Sequence, residues 1–462
     1  MQKYLSGILG AFVSFLVTVN VAGAQHAVAD QNFTMALTGD SIITRPLSIY
    51  KEPEFVKMIG LIRSSDVAFT NLEMLFHDYE SYPMAVSGGT WMRGDPALAK
   101  ELNWAGFDMV SRANNHTGDY GVAAMEMTTK YVAEAGLVQA GVGASLAEAR
   151  EAKFFETPKG RVALISIAST FASHMAAGRS RDNVPPRPGL NPLRYSSTTI
   201  LPEADFSALR KTGEMLGLFT DQDGNPMGTS DDKPDQFKLY GRWFKSGVKA
   251  EIQSVANQKD VAEIVAVIEN AKKLSDYVIV TIHAHEQKNR REIAADFIPV
   301  FARAVIDAGA DVFVGHGPHA LRGIEIYKGK PILYSLGDFI FQNETLLRLP
   351  SDNYENYGLD ENAHVADFNA ARYDNGTKGF PANREIWESV IAVPTFNGPA
   401  LKELKLYPIT LGYGLEVQVR GRPLLAKGDL AKKIINDLIE RSAPFGTQIK
   451  MRGDVGYVNV EK

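Results

Sequence analysis

Short apolar segments that end abruptly on polar side chains restrict the fold of this chain more than any other feature of its sequence. The segments are rich in β-branched and aromatic residues, which predicts buried strands with polar tips. Predicted helices, such as those over residues 121–135 and 261–273, separate the strands, and this alternation indicates an α/β fold. The polar residues at the strand tips, in chain order, are Asp40, Glu73, Asn115, His116, His283, His285, His316 and His319.

These polar tips predict one shared ligand site. The carboxyl ends of strands in an α/β sheet converge on the crevice where ligands bind, so residues far apart in sequence meet there. A lone histidine at a strand end is more often a structural group, but five of the nine histidines occupy such ends here. The chain has no cysteine. Imidazole, carboxylate and amide donors without thiolate suit Mn, Fe or Zn, and two such ions together activate water for hydrolysis.

The segment ANNH at residues 113–116 has two interpretations. Asparagine tolerates left-handed backbone and closes turns, so Asn114 and Asn115 could simply end the strand. Amide oxygen and imidazole are also donors to divalent metals, so Asn115 and His116 could instead face an ion or a leaving group. These residues alone leave both interpretations open.

The first residues of the chain indicate a signal peptide. Lys3 precedes an apolar stretch over residues 5–21, and Ala22-Gly23-Ala24 then forms the small-residue pattern that signal peptidase cleaves. An uncleaved membrane anchor is the alternative, but the stretch is shorter than the roughly 20 residues that span a bilayer. We expect cleavage after Ala24 and export to a periplasm or to the outside of the cell.

A long proline-rich and polar stretch, over residues of about 178–260, interrupts the strand and helix pattern. A structureless loop of this length is unusual in a compact domain, so the stretch predicts an insertion that covers a site. We expect a main domain over residues 25–345 that contains this insertion. Residues 346–462 would then form a C-terminal segment that completes the fold.

Two hairpins and a terminal helix are also predicted. Residues 153–168 should turn at 158–160, and residues 324–341 should form two strands that turn at 328–330. The apolar stripe of a helix over residues 430–442 is expected to close the core.

The insertion contains the segment PPRPGLNPLRY, in which three side chains are candidates for substrate binding. Arg187, Asn191 and Arg194 could bind the carboxylates of a polyanion, because guanidinium groups form paired hydrogen bonds with carboxylates. Arginine in a polar loop is more often simply solvated, which is the alternative here. His285 is a fourth candidate for substrate contact.

Six motifs resemble, in order and spacing, the signature of the bacterial capsule-synthesis CapA family, which is associated with poly-γ-glutamate. They are GD (39–40), NLE (71–73), ANNHTGDYG (113–121), IHAHE (282–286), GADVFVGHGPH (309–319) and YSLGDFIF (334–341). That family is similar to the calcineurin-like metallophosphatases. The resemblance therefore implies a four-layer α-β-β-α sandwich with a pair of divalent metal ions at the strand ends.

The resemblance also implies a role for each matching residue. Asp40 matches the first metal carboxylate, Glu73 the bridging carboxylate and Asn115 the amide ligand, which leaves Asn114 to shape the turn. The imidazole ligands match His283 and one or both of His316 and His319. His116 matches the acid that protonates a leaving oxygen.

The sequence departs from the family pattern at several positions. Ile42 stands where the phosphatases have a histidine, so one ion lacks a ligand there. Glu73 replaces the usual aspartate, and Asp338 stands where asparagine is usual.

The expected function is that of an exported protein in the biosynthesis or processing of capsule or poly-γ-glutamate, with a metal-dependent hydrolase site. Its expected partners are an acidic polymer or a phosphoester, and membrane proteins of a capsule synthase. The alternatives are a periplasmic metallophosphoesterase and a non-catalytic factor for polymer binding or export. The formal net charge of −5 offers no basic face, so nucleic acid is not an expected partner.

Overall fold

The computed structural model describes residues 32–219 and 233–460. The expected signal peptide, and residues 220–232 of the expected insertion, lie outside these described residues. Helices and strands alternate through most of the described chain.

The strands, in chain order, are β1 (Asn32–Ile42), β2 (Val67–Leu72), β3 (Leu75–Phe76), β4 (Arg93–Gly94), β5 (Met109–Ser111), β6 (Val138–Ala140), β7 (Val142–Gly143), β8 (Lys153–Thr157), β9 (Gly160–Ala168), β10 (Gly189–Leu190), β11 (Tyr195–Pro202), β12 (Gln236–Leu239), β13 (Arg242–Gly247), β14 (Glu251–Ala256), β15 (Tyr277–His283), β16 (Val312–His316), β17 (Ile324–Tyr327), β18 (Lys330–Leu333), β19 (Asp338–Phe341), β20 (Glu388–Asn397), β21 (Ala400–Thr410), β22 (Leu424–Leu425), β23 (Ile449–Arg452) and β24 (Val455–Val458). The helices are α1 (Pro53–Arg63), α2 (Leu98–Ala105), α3 (Gly121–Glu134), α4 (Leu146–Arg150), α5 (Glu203–Met215), α6 (Gln258–Leu274), α7 (Phe297–Asp307), α8 (Ser351–Glu355), α9 (Val365–Tyr373) and α10 (Gly428–Ser442).

The first large sheet has the strand order β23-β24-β21-β20-β1-β2-β5-β6, and β19 and β22 pair with β1 and β21. Strands β1, β2, β5 and β6 run parallel, so their carboxyl ends lie at one edge of the sheet. Strand β20 joins β1 in the antiparallel direction, and β21 follows it. The C-terminal part of the chain therefore extends the sheet that begins at residue 32.

The second large sheet has the order β17-β18-β16-β15-β9-β8. Its four central strands run parallel. The predicted hairpin over residues 153–168 is present as β8 and β9. As in the first sheet, the parallel strands bring polar residues that are distant in sequence to one edge.

Apolar side chains link the two large sheets and the helices beside them. One buried cluster contains side chains of both sheets, including Leu37 of the first and Leu164 of the second, together with Ile434 of α10. A second cluster joins the first sheet to α1 and α2, and a third joins the second sheet to α6 and α7. The predicted α/β class is thus correct, with several sheets in a mixed arrangement.

The region of the expected insertion contains a small sheet that the sequence did not predict. Strands β11 to β14 form a four-stranded sheet in the order β12-β13-β11-β14. A separate apolar cluster packs this sheet against α5 through Phe206, Phe237 and Leu239. Because most of β13 and β14 is exposed or half-buried, these strands lack the continuous apolar run that marked the strands of the large sheets.

The prediction for residues 324–341 was wrong in one respect, because the segment contains three strands. Strands β17 and β18 form the expected hairpin in the second sheet. The chain then turns at Gly337, whose φ is 70°, and β19 pairs with β1 in the first sheet. This crossing brings Asp338 beside Asp40 in the parallel register.

None of the helices in the described ranges has the length and apolar character needed to cross a membrane.

The crossing depends on a close approach between two glycines. The Asp40 N–H donates to the Gly337 carbonyl oxygen at 3.0 Å. A Cβ atom on Gly39 would overlap that same carbonyl oxygen. The backbone at this point therefore tolerates glycine alone without displacement of β1 or β19.

We predict that Gly39→Ala destabilises the protein by about 1–3 kcal/mol, because the added methyl group must push two paired strands apart. Gly60→Ala is the control, since Gly60 is an exposed residue of α1 and a methyl group there would meet no neighbouring atom. That change should stabilise the protein by roughly 1 kcal/mol through helix propensity. Urea denaturation of both variants measures the difference, and equal stability of Gly39→Ala and the unsubstituted protein would contradict the prediction.

Candidate metal centre

Asp40 lies at the carboxyl end of β1 and is fully buried. Its Oδ2 accepts a hydrogen bond from the Gly317 N–H at 2.8 Å, and its Oδ1 accepts one from Asn71 Nδ2 at 2.7 Å. The Nδ1 atoms of His283 and His316 lie 3.5 and 3.4 Å from Oδ1. Burial acts to raise the pKa of Asp40, but hydrogen bonds with His283 and His316 outweigh it and place the pKa well below its ordinary value. Asp40 is therefore a buried carboxylate anion.

Glu73 follows β2 and is also fully buried, but neither of its carboxylate oxygens has a hydrogen-bond partner among the described residues. Its Oε1 lies 3.5 Å from His283 Nε2, and its Oε2 lies 3.9 Å from His319 Nδ1. Burial, followed by the charges of Asp40 and Asp338, raises the pKa of Glu73 well above its ordinary value. A buried carboxyl group without partners costs free energy unless a proton or a cation neutralises it.

Asn115 follows β5 and directs its side chain into the same region. Its Nδ2 donates to the Gly88 carbonyl oxygen at 2.9 Å. That bond sets the orientation of the amide, and its Oδ1 is buried without a hydrogen-bond partner in the described structure. Asn114 instead closes the turn, because its Oδ1 accepts from the His116 N–H at 3.1 Å.

His116 forms a short hydrogen-bonded pair with Asp119. The distance between His116 Nδ1 and Asp119 Oδ2 is 2.6 Å. Asp119 also accepts from the N–H groups of Gly88 and Met92, so the carboxylate is held on three sides. The other ring nitrogen, Nε2, lies 3.9 Å from Glu73 Oε1. A carboxylate at Nδ1 leaves Nε2 as the atom that can exchange a proton at the site.

His283, at the end of β15, has both ring nitrogens against other imidazoles. Its Nδ1 lies 3.0 Å from His316 Nδ1, and its Nε2 lies 3.0 Å from His285 Nε2. Burial lowers the pKa of His283 to about 4 and also places the pKa of His285 well below its ordinary value. The Thr281 hydroxyl pairs with His316 Nε2 at 2.6 Å, which directs Nδ1 of that ring toward Asp40. Neutral imidazoles beside a carboxylate are in the protonation state that metal binding requires.

His319 and Asp338 form a second carboxylate–imidazole pair. His319 Nδ1 lies 2.8 Å from Asp338 Oδ1, while Asp338 Oδ2 is buried without a hydrogen-bond partner among the described atoms. Burial raises the pKa of Asp338 to about 6, against the opposing effect of His319. His319 has a φ of 53°, in the left-handed region that non-glycine residues rarely adopt. Backbone strain of this kind is retained where the surrounding structure holds a side chain in place.

The donor atoms form overlapping groups in which all ligand atoms lie within 4.8 Å of one another. The first group contains Asp40, His283 and His316, and the second contains Glu73, His285 and His319. A third group links the other two and contains Asp40, Glu73, His319 and Asp338. Buried oxygens without partners and the neutral imidazoles of His283 and His285 fit divalent ions, and the overlap allows a carboxylate to be shared by two of them.

A cavity of about 320 Å³ opens beside these donors. Asn115, His116, His285 and His319 line it. A ligand in the cavity would therefore contact possible metal donors as well as His116, the candidate acid.

Three of the four candidates for substrate contact, Arg187, Asn191 and Arg194, lie away from this cavity. Asn191 is fully buried and bonds Arg150 and the Ser166 carbonyl oxygen. Both Nε and Nη2 of Arg194 donate to Asp260. Arg187 donates to the Ala176 carbonyl oxygen, and none of the three lines the cavity.

His285 lies at the cavity as expected, but among the possible metal donors. The residue-based interpretation missed Asp338 and Asp119 as members of the site. Asp338 was visible only as an acid in place of an amide, and Asp119 as a polar residue three positions after His116.

Comparison with known proteins identifies the family. The sequence profile described as bacterial capsule synthesis protein PGA_cap matches residues 34–343. The chain belongs to this family. The uncharacterized protein y4sH of Sinorhizobium fredii is 38% identical to this chain, and the match covers 96% of each of the two chains. The capsule biosynthesis protein CapA of Bacillus anthracis is 22% identical over 73% of this chain and 68% of that protein. The PGA biosynthesis protein CapA of Bacillus subtilis is 27% identical over 68% of this chain and 64% of that protein.

We predict that Asp338 contributes to the stability of the metal-free form of this PGA_cap protein in a way that falls as pH rises, and that Asp338→Asn removes this contribution. The pKa of Asp338 is raised from 3.8 to about 6 in the folded chain, so the folded state binds a proton more tightly than the unfolded state. The contribution of Asp338 to the free energy of unfolding is complete below the pKa of the unfolded state and is lost as pH rises through about 6. The loss is on the order of 3 kcal/mol.

Chemical denaturation in EDTA at a series of pH values measures this effect. Asp182→Asn is the control, because Asp182 has a side chain that is 87% exposed. Identical pH profiles for Asp338→Asn and the unsubstituted protein would contradict the prediction.

Proposed function

We propose that this protein is an exported, metal-dependent hydrolase that acts on poly-γ-glutamate or a related acidic polymer in capsule biosynthesis or processing. Membership of the PGA_cap family supports poly-γ-glutamate or a related polymer as the substrate. The observation that carries the hydrolase proposal is the set of buried oxygens without hydrogen-bond partners, on Glu73, Asn115 and Asp338, beside neutral imidazoles. The signal-peptide pattern ending at Ala24 supports export.

The proposed fold is the four-layer α-β-β-α sandwich of the metallophosphatase type. The apolar cluster shared by both large sheets supports two adjacent sheet layers. The separate clusters with α1 and α2, and with α6 and α7, support a helical layer beside each sheet. In such a fold the parallel strand ends of the two sheets face a common edge, where the donor residues lie.

The donor groups support two divalent ions. Asp40, His283 and His316 would hold one, and Glu73, Asn115, His285 and His319 surround the place for a second, with Asp338 as an additional carboxylate. Bound ions of this type activate water and polarise an ester or amide carbonyl or a phosphoryl group. Ile42 stands where the metallophosphatases have a histidine ligand, and Asp338 would supply a donor to the site in place of that histidine.

His116 would supply a proton to the leaving group. Hydrolysis of an amide adds one water, breaks the C–N bond, and yields a carboxylate and an amine that must take up a proton. The Asp119 carboxylate holds Nδ1 of His116, so Nε2 faces the cavity side of the site next to Glu73. Asp119 is a positioning residue in this scheme, since it acts through the imidazole.

Metal content provides the first test. We predict that the purified mature chain holds divalent metal and that the double variant Asn115→Ala/His283→Ala loses most of it, because one proposed ligand is removed from each of the two ion positions. His174→Ala is the control, since His174 belongs to none of the donor groups. Elemental analysis by mass spectrometry measures the content, and thermal unfolding with added Mn²⁺ or Zn²⁺ measures the binding independently. A double variant with full metal content would refute the assigned donors.

Turnover provides the second test. We predict that His116→Ala lowers kcat for cleavage of purified poly-γ-glutamate by about 10²- to 10⁴-fold, as expected for loss of a general acid, with metal content unchanged. A generic aryl phosphate is tested in parallel. Cleavage of the phosphate alone would favour a metallophosphoesterase, and binding of polymer without any cleavage would favour a non-catalytic polymer-binding factor.

A further inference from the structure

Two arginines line the cavity beside the candidate metal centre without an acidic partner. Arg291 lies in the loop after β15, and Arg372 lies in the last turn of α9. Neither side chain forms an ion pair with any carboxylate in the part of the chain that the structure describes. By contrast, neighbouring Arg290 pairs with Glu292, and Arg194 pairs with Asp260. The protein thus leaves two guanidinium groups free to neutralise an anion in the cavity.

Arg372 is held in place by a hydroxyl group and aromatic rings, none of which neutralises its charge. It donates one hydrogen bond to the Thr90 hydroxyl. Its Cζ lies 5.2 Å from the ring centroid of Tyr373 and 5.8 Å from that of Phe380. The Phe380 ring is in turn 5.6 Å from the ring of His319, which ties this guanidinium to the donor groups. Stacking on aromatic faces fixes the plane of a guanidinium while its other N–H groups stay available.

Arg291 is held through its backbone. Arg322 is almost fully buried and donates from Nε to the Arg291 carbonyl oxygen at 3.0 Å. The same guanidinium also donates to the carbonyl oxygens of Ala284, His285 and Glu286. The Arg291 side chain itself has a buried Nη1 with no hydrogen-bond partner among the described residues. Such a cation is costly unless a ligand or solvent satisfies it.

The number of anions in the substrate distinguishes the substrate classes. A phosphomonoester of a neutral alcohol has one anionic group, and that group would be engaged by the metal donors. Two further guanidiniums in the same cavity call for an anion separate from the reacting group. A γ-linked glutamate chain has such a separate anion, because each residue carries a free α-carboxylate next to the γ-amide.

We propose that Arg291 and Arg372 bind the free carboxylate beside the scissile bond, so that the site selects a γ-linked glutamyl chain. The proposal rests on the proposed hydrolase function for its reacting bond, but the binding itself requires no metal. Guanidinium groups suit this role because they form paired, charge-assisted hydrogen bonds with carboxylates. Gln287, which also lines the cavity, adds a neutral side chain that can bond the polymer amides.

Binding to the metal-free protein tests the proposal. The probe is a fluorescently labelled γ-linked glutamate decamer, and its affinity is measured by fluorescence anisotropy in EDTA. Arg291→Gln and Arg372→Gln should each weaken binding roughly tenfold or more, the effect expected for loss of a charge-assisted hydrogen bond. Arg372→Lys should weaken decamer binding less, because the positive charge remains and only the paired hydrogen bonds of the guanidinium are lost. Circular dichroism and thermal unfolding check that each variant is folded.

Arg181→Gln is the matched control, since it removes the same charge from a side chain that is 91% exposed and does not line the cavity. It should bind the decamer as the unsubstituted protein does. A decamer with its α-carboxylates converted to primary amides should bind at least roughly tenfold more weakly to the unsubstituted protein. Inorganic phosphate should compete poorly with the unmodified decamer.

Equal affinity of the decamer for Arg291→Gln, Arg372→Gln and the unsubstituted protein would overturn the proposal, as would an absence of decamer binding. Strong competition by phosphate with no preference for the unmodified decamer would overturn the assigned substrate class. Failure of the hydrolase function gives a different result. The metal-loaded protein would then leave the polymer intact, while decamer binding would still depend on both arginines and support the carboxylate site.

Discussion

The hydrogen bond from the Gly317 N–H to Asp40 Oδ2 joins the two sheets at the point where the site is built. Asp40 ends a strand of the first sheet, and Gly317 follows a strand of the second. The same carboxylate accepts from Asn71 and lies beside two imidazoles of the second sheet. If this bond were absent, the strand ends of the two sheets would lose a direct polar link at the centre of the site. Two of the three donor groups contain this buried carboxylate.

Electrostatic balance explains why these side chains lie together. Asp40, Glu73, Asp119 and Asp338 are all buried close to one another, which raises the pKa of Glu73 and Asp338. The imidazole of His283 cannot supply the missing positive charge, since burial lowers its pKa to about 4, and His319, whose pKa Asp338 raises against the effect of burial, can balance only one carboxylate. Divalent ions would neutralise the carboxylates and satisfy the oxygens that lack partners.

The strand ends could be predicted from sequence because apolar runs and parallel strands impose simple rules. Those rules place Asp40, Glu73 and His283 at one edge of the sheets, and the structure has them there. The role of Asp338 could not be predicted, because it depends on the chain leaving the second sheet at Gly337. Asn191 and Arg194 lie away from the expected site for a related reason. Their partners Arg150 and Asp260 are 41 and 66 residues away, and no local pattern reveals them.

The guanidinium of Arg322 gives the loop after β15 a property that its separate residues do not have. It donates to the carbonyl oxygens of Ala284, His285, Glu286 and Arg291, so four positions of the loop share one buried anchor. His285 lies near one end of the anchored segment and Arg291 at the other. The candidate metal donor His285 and the cavity arginine Arg291 thus depend on the same buried guanidinium for their backbone positions.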